Sequence, residues 1–371
     1  MPVNADASKA SAAPAPGAWS STTDLPALAA WLRSRRRVVI VTHVKPDGDA
    51  IGSTMAVTRA LNLLRPGLAT PWYFGPLPDW FPDVAAATPH RIITEQDRAE
   101  HDHAEEPDGV LILDTGSWMQ LHDIREWLLK RTEMAAVLDH HRQGHADVAP
   151  RRVIMPEVAA VCQPAAELCR LLLGTPRVGG LPAEIAEPLY LGLATDTGWF
   201  QHSNTSPALL RMAADLLEAG VNHARLYELT EQRDRPARLR LMARALASLE
   251  LLERDTVALM TLKQSDFHDS RAAPQDSGGF VQLGLTVASV QVCILLTESF
   301  VHDASPITKV SLRSKSGPDA PDVNAIAGRL GGGGHIRAAG AKVSADLATT
   351  RARVIEAVLA ERAAASGGRA R

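Results

Sequence analysis

The segment His43-Val44-Lys45-Pro46-Asp47-Gly48-Asp49 sets an imidazole ahead of two carboxylates, and three later stretches supply more of the same donors. Asp114 follows Val110-Leu111-Ile112-Leu113, Asp139-His140-His141 follows Val137-Leu138, and Asp196 closes Leu191-Gly192-Leu193-Ala194-Thr195. Carboxylate with a little imidazole suits Mn²⁺ or Mg²⁺, whereas thiolate would favour zinc. Two histidines tilt the choice to Mn²⁺, with Mg²⁺ or Co²⁺ as substitutes. His43 and Asp47, four residues apart across a tight loop, can ligate one ion. Asp49 can turn to a second ion, which His140 and Asp196 complete, and Asp114 could bridge both. Two ions about 3.5–4 Å apart lower the pKa of a shared water and clamp the attacking and leaving oxygens of a phosphoryl displacement. Asp139 is expected behind them, accepting an imidazole N–H to fix a ligand's tautomer. His141, on the opposite face of the same backbone, could when protonated stabilise phosphoryl oxygens or aid the leaving group.

For these residues to meet, each must sit at the end of an element aimed at one place. Buried strands of a parallel sheet read as unbroken Val, Ile, Leu and Ala, and open α/β sheets bind ligands beyond the strands' carboxyl ends. Val38–Thr42, Val110–Leu113 and Val137–Leu138 read that way, while Leu191–Thr195 ends a helical run. Asp24 can cap a helix through Leu32, and helices are expected over Ser53–Leu64, Trp118–Lys130 and Pro164–Leu173. The alternation predicts a doubly wound, mainly parallel α/β sheet over residues 21–230. After a charged linker at 231–242 the texture changes, and strands near Val257, Val287–Thr297 and Lys309–Arg313 predict a smaller α+β domain over 243–361. Residues 1–20, rich in Ala, Pro and Ser, and 362–371 read as disordered tails.

The smaller domain carries a second constellation, Gly331-Gly332-Gly333-Gly334-His335-Ile336-Arg337. Glycines without Cβ atoms let backbone N–H groups converge on an anion, with His335 and Arg337 as further donors. Arg313, beside Ser314 at a strand end, is a second candidate phosphate fork, and Lys315 a weaker one. His101, Asp102 and His103 also place donors together, but no apolar framework positions them.

A net charge of −3 argues against a protein that grips long duplex DNA, which takes a basic face. Cys162, Cys169 and Cys293 lack CxxC spacing and fit buried thiols in a reducing cytoplasm. No apolar run spans a bilayer, and no secretory signal is evident.

Taken together, these residues resemble the DHH phosphoesterase family. His43 to Asp49 is similar to its first motif, Asp114 to its second, Asp139-His140-His141 to the motif that names it, and Asp196 to its fourth. Gly332 to Gly340 resembles the signature of the accessory DHHA1 domain. Ser311-Leu312-Arg313-Ser314, followed by Asp322-Val323-Asn324, is most similar to the branch that hydrolyses short oligoribonucleotides and dephosphorylates 3′-phosphoadenosine 5′-phosphate (pAp). The resemblance implies two Mn²⁺, one on His43, Asp47 and Asp114 and the other on Asp49, Asp114, His140 and Asp196. It also implies a DHHA1 domain that faces the DHH domain across a cleft and binds the substrate's nucleotide and phosphate, a preference for two to five nucleotides, and a homodimer. Cys162-Gln163-Pro164 and Gln282, expected on a strand after the Ser270–Gly279 stretch, depart from the family pattern and bear on substrate preference. The competing readings are a RecJ-like single-strand DNA exonuclease, a manganese pyrophosphatase, a linear or cyclic dinucleotide phosphodiesterase, and a nucleotide-sensing binding protein.

Overall fold

The structure is a computed structural model that describes residues 18–94, 106–299, 306–317 and 320–367. His101, Asp102 and His103 lie outside the described residues. The chain divides into two compact units, Met1–Gln232 and Arg233–Arg371.

In chain order, the first unit runs α1 (Leu25–Arg33), β1 (Val38–Val41), α2 (Gly48–Leu64), β2 (Ala69–Phe74), α3 (Phe81–Ala85), β3 (Arg91–Ile93), β4 (Gly109–Leu113), α4 (Arg125–Leu129), β5 (Ala135–Asp139) and β6 (Arg151–Ile154). Four helices complete it: α5 (Cys162–Leu173), α6 (Ala183–Asp196), α7 (Pro207–Glu218) and α8 (His223–Glu231). The six strands are all parallel, in the order β3-β2-β1-β4-β5-β6. β1, β4 and β5 are wholly buried, as their unbroken apolar sequences require. One face packs against α1, α2, α5 and α6 through residues such as Leu28, Met55, Leu168 and Leu189; the other carries Trp72, Ile112 and Trp127. Strand order reverses between β1 and β4, and a crevice therefore opens at their carboxyl ends.

Two helices start differently from expectation. α2 begins at Gly48 because the Asp47 carboxylate accepts from the Asp49 and Ala50 amides, both at 3.1 Å. The stretch expected as one helix from Trp118 is broken, with a 3₁₀ turn at His122–Ile124 before the short α4. Its first residues serve as loop instead: the Gln120 carbonyl accepts from Val44 N at 3.1 Å, and Trp118 Nε1 donates to Asp147 at 3.1 Å.

The second unit runs α9 (Pro236–Ala247), β7 (Glu250–Leu252), β8 (Val257–Leu262), α10 (Gln264–Ser270), β9 (Val292–Glu298), β10 (Thr308–Ser314), α11 (Val323–Arg329), β11 (Gly333–His335), β12 (Ala338–Val343) and α12 (Leu347–Gly367). Its mixed sheet has the order β11-β12-β10-β9-β8-β7, with β8 and β9 parallel and the other pairs antiparallel. Val323, Ile326, Val354 and Val358 of α11 and α12 pack on one face, while Leu241, Phe267 and Phe280 pack on the other. The architecture is thus a doubly wound parallel α/β sheet with a second, mixed-sheet unit.

Several boundaries differ from the sequence reading. The stretch expected as a linker is mostly helix, since α9 begins at Pro236, where proline suits a first helical turn. α12 continues past Arg362 to Gly367, into the expected tail. Gln282 lies in a 3₁₀ segment, Phe280–Thr286, and not on a strand. Trp19 and Ser20, expected in a tail, are partly buried and bonded to the sheet's edge region. The three cysteines are free and buried, and among the described residues no helix is long and apolar enough to cross a membrane.

Candidate metal centre

β1 delivers His43 and β4 delivers Asp114 to the two sides of the strand-order reversal, and β5 delivers His140 beside them. His43 Nε2 lies 3.5 Å from Asp114 Oδ2 and 3.8 Å from Asp47 Oδ1. His140 Nε2 lies 3.2 Å from Asp114 Oδ1 and 3.8 Å from both Asp49 Oδ2 and Asp196 Oδ2. Asp114 therefore turns one oxygen to each imidazole. Three donor sets draw together closely enough for metal binding: His43, Asp47 and Asp114; Asp49, His140 and Asp196; and Asp114, His140 and His141.

The backbone is shaped for this convergence. Asp114 has a left-handed φ of 62°, a conformation that costs a non-glycine residue about 1–3 kcal/mol and that clusters at functional sites. Asp49, fully buried in the first turn of α2, is held by two amides that the sequence reading did not foresee. Val161 N donates to Oδ2 at 2.6 Å and Cys162 N to Oδ1 at 2.9 Å, both at the start of α5. α6 also approaches Asp49 closely. At Gly192 of α6 a Cβ would overlap Cys162 Sγ and come within 2.8 Å of Asp49 Oδ1.

The imidazoles have their other nitrogens committed. His43 Nδ1 donates to the Val44 carbonyl at 2.9 Å and His140 Nδ1 faces the Val158 carbonyl at 3.4 Å, so each Nε2 is turned to the carboxylates. These carbonyls, and not Asp139, fix the tautomers of the two candidate ligands. Asp139 instead serves its neighbour. Its Oδ1 accepts from the His140 and His141 amides and from His141 Nδ1 at 2.8 Å. His141 is half-exposed, with its ring packed edge-on against that of His140.

Electrostatics favours a cation here. Asp49 is raised well above the ordinary carboxylate range by burial and by the charges of Asp114 and Asp196. Asp196 is pushed up to about 6 by burial and by Asp114 and Asp47. Burial works to lower both imidazoles, yet bonding to Asp114 and the surrounding carboxylates outweigh it and raise His43 and His140 to about 10. His141 is raised by its bond to Asp139. Asp114 Oδ1 is buried and accepts no well-aligned hydrogen bond, the His140 imidazole at 3.2 Å standing off its lone pairs. Four carboxylates and two imidazoles with that orphaned oxygen at their centre fit a site for divalent cations, which prefer oxygen donors with some nitrogen.

A model described as "DHH family, N-terminal domain" matches residues 37–193. The chain is 34% identical over 340 residues, 87% of its length and 90% of the relative's, to a bifunctional oligoribonuclease and PAP phosphatase NrnA of Thermus thermophilus. The chain belongs to the DHH family. A probable bifunctional oligoribonuclease and PAP phosphatase NrnA of Streptococcus mutans is 24% identical over 82% of this chain and 88% of its own. The fold of this DHH phosphoesterase is shared with an exopolyphosphatase-related protein of Bacteroides fragilis, with a TM-score of 0.80, 22% identity, and coverage of 92% of this chain and 97% of the other.

In the second unit the glycine tract behaves differently from expectation. The amides of Gly331, Gly332 and Gly334 donate to the Gly328 carbonyl, the Ala327 carbonyl and Asn324 Oδ1, so they do not converge on an anion. Gly332 and Gly334 serve close packing, since Cβ atoms there would overlap the Gly340 carbonyl or approach the Ala338 carbonyl within 2.5 Å. Arg337 is occupied too, donating to the Ala320 carbonyl at 2.9 Å, the Gly317 carbonyl at 3.2 Å and Ser314 Oγ at 3.4 Å. Lys315 Nζ donates to the Val287 and Ala288 carbonyls. His335 is exposed, and Arg313 spends one nitrogen on the Leu312 carbonyl at 2.9 Å.

Proposed function

We propose that this DHH phosphoesterase hydrolyses very short oligoribonucleotides, of two to five nucleotides, to 5′-mononucleotides, and pAp to AMP. Relatedness over most of the chain to a bifunctional oligoribonuclease and PAP phosphatase supports the substrate class. The observation that carries the chemistry is the buried Asp114 carboxylate, with one oxygen toward His43 and the other, which accepts no well-aligned hydrogen bond, toward His140.

His43, Asp47 and Asp114 would hold one Mn²⁺, and Asp49, Asp114, His140 and Asp196 a second. Divalent cations bound there would supply Lewis-acid stabilisation of the phosphoryl group and a water nucleophile near neutral pH. The chain's own part is to fix these donors and to place a proton. Asp139 holds His141 by Nδ1, which leaves Nε2 of a half-exposed ring to meet substrate. His141 as imidazolium would neutralise charge on the phosphoryl oxygens or protonate the leaving oxygen. In the second unit, Arg313 and His335 are the donors left to grip a substrate phosphate. Ser314, Gly332, Gly333, Gly334 and Arg337 shape the backbone that carries them.

The test is release of inorganic phosphate from pAp and of mononucleotides from a labelled dinucleotide, with Mn²⁺ and with EDTA. Both activities are expected with Mn²⁺ and neither with EDTA. Inactivity on both under every divalent metal would sink the reading.

A further inference from the structure

Trp19 is the one aromatic in a stretch dominated by Ala, Pro and Ser, and its indole lies between two loops of the centre. Gly116 belongs to the loop that begins at Asp114, and Gly144 to the loop that begins at His140. A Cβ added at either glycine would overlap the indole. The indole Nε1 donates to the His141 carbonyl at 3.0 Å, and the ring packs on the core beneath with Val44 and Trp118. Across the same gap, His145 N donates to the Gly116 carbonyl at 2.8 Å.

The residues after Trp19 tie it down. Thr22 N donates to the Arg152 carbonyl and Arg152 N to Thr22 Oγ1, both at 2.8 Å, while Ser21 Oγ accepts from Ile154 N at 2.8 Å and donates to the Ile154 carbonyl at 3.1 Å. Two hydroxyls thus complete the open edge of β6 and leave the indole little freedom to withdraw. Neither Trp19 nor the two glycines offers a donor to a cation.

We propose that Trp19 is a positioning residue of the metal centre: wedged between Gly116 and Gly144 and bonded to the His141 carbonyl, it sets the spacing of the loops that bear Asp114 and His140. The inference rests on the reading of that cluster as a divalent-cation site. Groups that orient metal ligands without touching the ion typically govern affinity by about 10- to 100-fold. The indole does so for two ligand loops at once.

The full chain is compared with Trp19→Ala, Trp19→Phe, Gly144→Ala and the Trp19→Ala/Gly144→Ala double variant. The readouts are Mn²⁺ affinity by electron paramagnetic resonance titration and, on metal-free protein, amide hydrogen exchange over residues 115–118 and 140–145. Trp19→Ala is expected to weaken Mn²⁺ binding about tenfold and to speed exchange in both loops, and Trp19→Phe to fall between it and wild type. Gly144→Ala has no left-handed backbone to strain and is expected to match Trp19→Ala. The double variant is expected to be no worse than Trp19→Ala, because the ring that the new methyl strikes has gone. Unchanged Mn²⁺ affinity in Trp19→Ala overturns the proposal, even with faster exchange, and so does full additivity in the double variant. A wild-type protein that binds no Mn²⁺ removes the metal reading and this inference together, whereas wild-type binding with an indifferent Trp19→Ala removes this inference alone.

Discussion

At the mouth of the parallel sheet, Asp49 and Asp114 are buried, share their surroundings with two imidazoles, and leave one oxygen without an aligned partner. At the edge of the mixed sheet, residues 331–336 are all exposed, and the Gly331, Gly332 and Gly334 amides donate to the chain's own acceptors. The first region crowds four carboxylates that the two imidazoles only partly offset; the second bonds much of its own backbone and offers a few side chains at its rim. Removing a buried ligand should therefore disable the centre, because no water can replace it. Removing an exposed donor should weaken binding only by the interaction it made.

The largest effect is expected at Asp114. Asp114→Asn takes charge from both halves of the centre, and loss of at least about a thousandfold in kcat/KM is expected on both pAp and dinucleotide. Near-normal turnover would mean that the two halves are independent. Gly192→Ala comes next. Alanine favours a helix, so any harm must come from its methyl pressing on Asp49 and Cys162. A drop of about tenfold in Mn²⁺ affinity is expected, and an unchanged titration would show that the α2–α6 crossing has slack.

In the second region, Arg313→Ala and His335→Ala should each raise KM by about tenfold with kcat held. A fall in kcat with KM fixed would blur the contrast between the regions. Arg337→Ala should behave differently from both, costing about 0.5–1.5 kcal/mol of stability through the lost hydrogen bonds to the Gly317 and Ala320 carbonyls. Chemical denaturation distinguishes it from His335→Ala, for which no loss is expected.

The smallest signal is a proton count. Without metal, His43 and His140 titrate at about 10, and coordination requires the neutral ring. Mn²⁺ binding at pH 8 should thus release at least about two protons, with a further contribution from Asp49, whose carboxyl is also raised well above its usual range, and apparent affinity should rise with pH toward about 10. Calorimetry in buffers of different ionisation enthalpy measures the number. Binding with no proton release would show that the imidazoles are already neutral.

Much of the first region was legible in the sequence, because an apolar run that stops at Asp or His states both the strand and the direction in which its end points. His43, Asp47, Asp49, Asp114, His140 and Asp196 all come together in the fold. What local pattern could not show is which distant backbone serves each side chain. Asp49 is held by the Val161 and Cys162 amides, more than a hundred residues away, and Asp139 bonds the imidazole of His141 and not that of His43 or His140. The glycine tract is ambiguous for a related reason. Glycine is equally suited to cradling an anion and to letting strands pack closely, and the packing against the Ala338 and Gly340 carbonyls is visible only in the fold. Trp19 was hidden by its neighbours, since a single aromatic in an Ala/Pro/Ser stretch carries no periodicity.

The most direct test is the number of Mn²⁺ ions per chain and whether they interact. Titration of metal-free protein, followed by electron paramagnetic resonance, should show two ions per chain with a spin-coupled signal that vanishes in Asp114→Asn. A single uncoupled ion in the wild type, or coupling that survives without the Asp114 carboxylate, would contradict a shared centre.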